Sequence, residues 1–445
     1  MVYYKQIEEL NENKKERKRS MEKHDIRYQT YVAILKRELL PAMGCTEPIA
    51  IAYCAAMARS LLNDLPDTVL VEASGNIIKN VKSVIVPNTN GAKGIEAAAA
   101  AGIVAGREDR KLEVLSQVTE KEKEALAHYL DTASITIRPS DSPFLLDVTV
   151  TVKKGASYAK AQIVNEHTHL VLLEKDGETL LKTEPSEEKG GEMPDYSLLN
   201  VEDIVDFSDT ADLEDVREVL ERQIQYNTAI SQEGLSGNYG ANIGKVLLKE
   251  YGTDVKNRAK AAAAAGSDAR MNGCEMPVVI LSGSGNQGMT ASLPVIEYAN
   301  EWGCSEEKLL RALLVSDLLT LHQKTGIGRL SAYCGAVSAG AGAGAGIAYL
   351  AGGGFEEVSH TLVNAIAITS GIICDGAKAS CAAKIAASVD AGLLGWNMYR
   401  NGEQFYGGDG VVSKGVENTI KNIGRLGKDG MKETDKEIIR IMTGC

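Results

Sequence analysis

Between Ile26 and Leu39 apolar residues recur at helical spacing (Ile26, Tyr31, Ile34, Leu35, Leu39), predicting an amphipathic helix that Pro41 closes. A second helix is predicted from Thr46, a good N-cap, with Glu47 suited to the dipole and Pro48 tolerated in the first turn. Its body, IAIAYCAAMARSLL, is apolar almost all round, as in a buried helix. From Asp67 the period changes to two. TVLVEAS and IIKNVKSVIV read as strands joined through SGN, and PNTNGAKG as a turn before an alanine-rich helix from Ile95 to Gly106. ASITIRP, FLLDVTVTVKK, SYAKAQIVNE and THLVLLEK then predict consecutive antiparallel strands ending near Lys182. Thr183 to Asn200, acidic and broken by Pro and Gly, reads as a connector. Beyond it helical patterns dominate. The predicted fold is α+β: a mixed region with an antiparallel β-sheet and helices, followed by a mostly helical region. The expected divisions are a charged N-terminal extension over residues 1–25, an α+β region over 26–195 and a mainly helical region over 196–445.

Composition narrows the function. A net charge of −12 leaves no basic excess for phosphates, so no nucleic-acid partner is expected. Aromatics are scarce at 5% and small residues plentiful, which favours closely apposed helices and is compatible with a homodimer. The N-terminal MVYYKQIEELNENKKERKRS lacks the apolar stretch of a secretory signal. A cytoplasmic location is therefore expected, with the eight cysteines as reduced thiols or metal ligands. The run from Ser331 to Gly354 has the length of a membrane span but is built of Gly and Ala without flanking girdles, so a buried helix and no membrane partner are predicted.

GSGNQG, Gly283 to Gly288, has dinucleotide-fingerprint spacing, but Pro294 falls where the phosphate-binding helix should run. Ser284, Asn286 and Gln287 there, Asn238 in SGNYGANIGK, and Lys324 and Arg329 in KTGIGR are candidates for holding a small carboxylate, against the alternative of plain turns. His167 and His169, two apart on a predicted strand, read as a surface pair. Cys334, Cys374 and Cys381 fall on a background nearly free of acid–base groups, and two readings stand: metal ligands or buried structural thiols. Cys45, just before the predicted cap Thr46, has a position that favours a thiolate, which Glu47 would oppose.

LLPAMGCTEPIA, SGNYGANIGK, GSGNQG, KTGIGRLSAYCGA and CDGAKASC together resemble the L-cysteine desulfidase family, related to the iron–sulfur L-serine dehydratases, from about Ile26 to Thr443. The resemblance implies a [4Fe–4S] cluster on Cys334, Cys374 and Cys381, Cys45 as the base for the substrate α-proton, and conversion of L-cysteine into pyruvate, sulfide and ammonia with no PLP. Thr46, Asn238, Ser284, Asn286, Gln287, Lys324 and Arg329 are the expected contacts of this small amino-acid substrate. Related serine dehydratases place a C-terminal cysteine on the open iron, which makes Cys445 a candidate fourth ligand, against a frayed terminus. L-Serine as substrate is the alternative within this class, and a non-catalytic iron–sulfur sensor the alternative outside it.

Overall fold

The computed structural model describes residues 21–184 and 193–443; Cys445 and most of the N-terminal extension lie outside the described residues. The Ile26–Glu38 and Thr46–Leu62 helices flank a short strand, β1 (Pro41–Met43). A six-stranded sheet follows, with β2 (Thr68–Ala73), β3 (Ser134–Pro139), β4 (Asp147–Lys154), β5 (Ser157–Val164), β6 (Leu170–Lys175) and β7 (Glu178–Lys182) in the order β3-β2-β4-β5-β6-β7. The meander β4 to β7 is antiparallel, as the alternating pattern predicts. The sheet as a whole is mixed, because β2 pairs β3 in parallel and three helices, Gly75–Val81, Gly94–Ala105 and Glu120–Thr132, fill the crossover between them. Val148, Val150 and Val152 lie buried on the sheet, where Cys54 of the Thr46–Leu62 helix donates to the Ala161 carbonyl at 3.3 Å.

From Val201 the chain is almost entirely helical, as expected. The exception, β8 (Pro277–Val279), pairs antiparallel with β1 from the far end of the chain. This short ladder ties the entry of the Thr46–Leu62 helix to the Ser282–Ser284 turn, and the Thr46 hydroxyl reinforces it by donating to the Gly283 carbonyl at 2.9 Å. The small-residue run forms the buried Gly335–Leu350 helix, packed against the Glu306–Ile327 and Cys381–Arg400 helices. Among the described residues no helix is long and apolar enough to cross a membrane.

Several local expectations are corrected. IIKNVKSVIV does not form a strand; its first half is the Gly75–Val81 helix, which buries Ile77 and Val81 one turn apart. That helix also buries Asn76, Lys79 and Asn80, a polar face turned inward that hides its period. The helix after the GSGNQG turn runs through Pro294, from Gly285 to Trp302. Just upstream, the hydroxyls of Thr290 and Ser292 donate to the carbonyls of Asn286 and Gly288, the back-bonding that loosens a helix and eases a proline. Lys324 lies in the last turn of the Glu306–Ile327 helix and not in a loop. Cys45, not Thr46, is the N-cap of its helix.

Candidate active site

A cavity of about 100 Å³ is lined by Cys45, Cys334, Cys374 and Cys381, bringing together thiols from both ends of the chain. The N-termini of the Thr46–Leu62, Gly285–Trp302, Gly335–Leu350 and Cys381–Arg400 helices all open on it, through Cys45, Ser284, Cys334 and Cys381. Each contributes unsatisfied N–H groups and the positive end of a dipole, so the enclosure favours anions. A second cavity, of about 510 Å³, shares Arg329 and Leu330 with the first.

Cys334 and Cys374 flank an antiparallel bridge between Tyr333 and Ile373, with Cys334 N donating to Ile372 O at 3.1 Å and Cys374 N to Ala332 O at 2.6 Å. The loop from Cys374 to Cys381 is pinned by Asp375, which binds Lys378 at 2.5 Å and also pairs with Lys384. Gly376 in that loop has φ +94°, and a Cβ there would sit 2.4 Å from the Lys79 carbonyl, so only glycine lets the loop lie against the Gly75–Val81 helix. None of the three thiols is in a disulfide. Burial, with Cys374 adding to it, pushes Cys334 up to about 12, and burial raises Cys381 as well. Lys324, buried beside Cys334 and Cys374, is pushed down to about 8 by desolvation, against the pull of those two thiols.

This donor set fits a cationic iron–sulfur group. Three thiols outside any disulfide can give up their protons on metal binding, and the adjoining lysines and helix ends balance the anionic charge that results. Among the described residues no group of three or more His, Cys, Asp or Glu side chains is placed to hold a metal ion.

Cys45 is buried, and its thiol donates to Glu47 Oε2 at 3.1 Å. Burial and then the Glu47 carboxylate hold this thiol well above its usual range, with Arg270 opposing them. Burial works to raise Glu47 too, but His167, the Cys45 hydrogen bond and Arg270 outweigh it and hold the carboxyl below its usual range. Asn80 Nδ2 donates to the other oxygen, Oε1, at 2.9 Å. His167 is buried, not the surface residue its strand pattern suggests, and desolvation pushes it down.

Of the expected substrate contacts, Ser284, Asn286, Gln287, Lys324 and Arg329 line the small cavity. Arg329 is already paired, with Glu38 at 2.8 Å and Glu166 at 3.2 Å. Asn286 Oδ1 accepts from Arg270 at 3.1 Å. Thr46 adjoins Cys45 but is turned to Gly283. Asn238 does not line the cavity; its Oδ1 accepts from Lys245 at 3.2 Å. The sequence reading missed Asn76, Lys79, Asn80 and Arg270, all cavity-lining, and Glu47 and His167 as a buried pair. The only local signal for them was the acid two residues after Cys45.

A sequence model of the serine dehydratase alpha chain matches residues 109–440, a span that includes Cys334, Cys374 and Cys381 and begins after Cys45. A UPF0597 protein of Desulfitobacterium hafniense is 62% identical over 422 residues, 95% of this chain and 98% of the relative. A UPF0597 protein of Lachnoclostridium phytofermentans is 52% identical, covering 93% of this chain and 99% of the relative. One from Fusobacterium nucleatum is 43% identical over 94% of this chain and the whole of the relative.

Proposed function

The chain belongs to the serine dehydratase alpha chain family, and from that premise we propose that it is a PLP-independent lyase that β-eliminates L-cysteine to pyruvate, sulfide and ammonia. Cys334, Cys374 and Cys381 would hold a [4Fe–4S] cluster and Cys45 would remove the α-proton. The observation that supports this reading is the meeting of Cys45 with the other three thiols in one small cavity, although they lie 289 to 336 positions away in the chain. When bound, a cluster with three protein ligands supplies a Lewis-acidic iron for the departing sulfur.

The chain's own residues do the rest. The Cys45 sulfur takes the proton from Cα as its own thiol proton passes to Glu47 Oε2 along the existing hydrogen bond, so that no free thiolate has to form first. The electron pair of the Cα–H bond forms the Cα=Cβ bond, and the Cβ–S bond breaks with its pair leaving on sulfur. The 2-aminoacrylate released tautomerises to the imine, and water hydrolyses it to pyruvate and ammonia.

The family's name favours a second reading, L-serine with hydroxide as leaving group, for which the same proton must move. The test of Cys45 is its replacement by alanine in anaerobically iron-loaded protein. The expected result is an unchanged visible absorption spectrum with pyruvate formation reduced by about 10³-fold or more. A variant that still turns over at more than a tenth of the wild-type rate would show that another group takes the proton.

A further inference from the structure

A zwitterionic substrate needs a place for each charge, and the cavity wall divides into donors and acceptors. Arg270 closes one side. It is 2% exposed, forms no ion pair among the described residues, and its Nε has no hydrogen-bond partner. Burying a guanidinium Nε–H without a hydrogen-bond acceptor is costly, so such a group is expected to be satisfied by a ligand. Of the other cations of the cavity, Lys79 pairs with Asp435 at 2.5 Å and Arg329 with Glu38 and Glu166, while Lys324 lies buried beside the thiols Cys334 and Cys374. Arg270 Nη1 rests on Asn286 Oδ1, which orients the fork.

Near Cys45 the lining carries unpartnered acceptors. Glu47 takes the Asn80 amide on Oε1, and a carboxylate can only accept, so Asn80 must present Nδ2 to it and turn Oδ1 elsewhere. Asn80 Oδ1 is buried without a donor, and so is Oδ1 of Asn76, one turn earlier on the same helix. Buried carbonyl oxygens beside a carboxylate suit a group that brings several N–H donors and a positive charge.

We infer that Arg270 receives the α-carboxylate of the substrate and that Asn80, with Glu47 and Asn76, receives its α-ammonium. This rests on the reading of the cavity as a substrate site and specifies its ligand class: an α-amino acid, recognised at both poles, with the α-hydroxy acid of the same shape rejected. Arg270 and Asn80 take the place that the sequence assigned to Lys324 and Arg329. Cα is held between the poles, within the enclosure that Cys45 and the three other thiols share.

L-Alanine, which has no leaving group, separates binding from elimination. Calorimetric titration of the full iron-loaded chain is expected to show L-alanine binding at least about tenfold more tightly than L-lactate. Asn80→Ala weakens L-alanine about tenfold and leaves L-lactate unchanged, whereas Arg270→Lys, which keeps the charge but loses the fork, weakens both. Equal affinity of the wild type for the two ligands, or no binding of L-alanine, overturns the inference without recourse to any variant. An Arg270→Lys protein that binds both as the wild type does also overturns it. If the pattern holds while L-cysteine and L-serine are not turned over, the lyase reading fails and the two poles stand.

Discussion

The Gly335–Leu350 and Cys381–Arg400 helices carry Cys334 and Cys381 at their N-termini, so the distance between the helices sets the distance between the thiols. They touch backbone to backbone. A Cβ added at Gly344 would lie 2.6 Å from Gly392 O and 2.7 Å from Gly392 C and Cα. Ordinary contact begins at 3.4 Å, so Gly344→Ala forces the helices apart by roughly 0.8 Å or bends one of them. Overpacking of this kind costs about 1–3 kcal/mol. It also moves Cys334 against Cys381, and a disturbed ligand frame weakens metal binding by about 10–100-fold. The urea midpoint of the metal-free protein and the iron bound per chain after anaerobic reconstitution check the two effects separately. A Gly344→Ala protein with wild-type midpoint and wild-type iron would refute the idea that these helices space the thiols.

Other residues give independent tests. Asp317 is fully buried, and burial pushes it up to about 7, against the hydrogen bond from Gln223 Nε2 at 3.0 Å. The folded state therefore keeps a proton that the unfolded chain releases near pH 3.8. This group's stabilisation is full below about pH 4 and lost as pH rises through 7, about 4 kcal/mol in all. Asp317→Asn, compared with the wild type by urea unfolding from pH 4 to 8, should lack that slope and be the more stable protein at pH 8. Thr119 caps the Glu120–Thr132 helix in an exposed capping box with Glu122, so Thr119→Ala should cost about 1 kcal/mol in urea unfolding and leave catalysis unchanged. Cys374→Ser should keep the fold by circular dichroism while losing the visible iron–sulfur absorption, and full retention of that absorption would remove Cys374 from the ligand set.

What could be read from the sequence follows from where each residue's surroundings come from. The Thr46–Leu62 and Gly335–Leu350 helices are buried all round and carry that in their own composition, and the strands β4 to β6 carry it in their alternation. The Gly75–Val81 helix was misread because its polar residues face a cavity and not water, which erases the amphipathic period. Arg270 ends an alanine-rich helix, and nothing near it in sequence marks it as buried; the Gly285–Trp302 helix, which brings Asn286, does that. His167 is buried beside Glu47, 120 positions earlier, a distant relation that no local pattern encodes. Cys45 and the three later thiols stood out because the chain has few cysteines, and the β1–β8 ladder ties the Cys45 end of the cavity to the Ser282–Ser284 turn.

The most direct measurement is an anaerobic assay of the iron-loaded protein against L-cysteine and L-serine in parallel, following pyruvate, sulfide and ammonia. The expected result is pyruvate, sulfide and ammonia in equal amounts from L-cysteine, with L-serine slower. Pyruvate from L-serine alone would reassign the leaving group to hydroxide. No pyruvate from either, in protein with its full complement of iron, would contradict the proposed elimination.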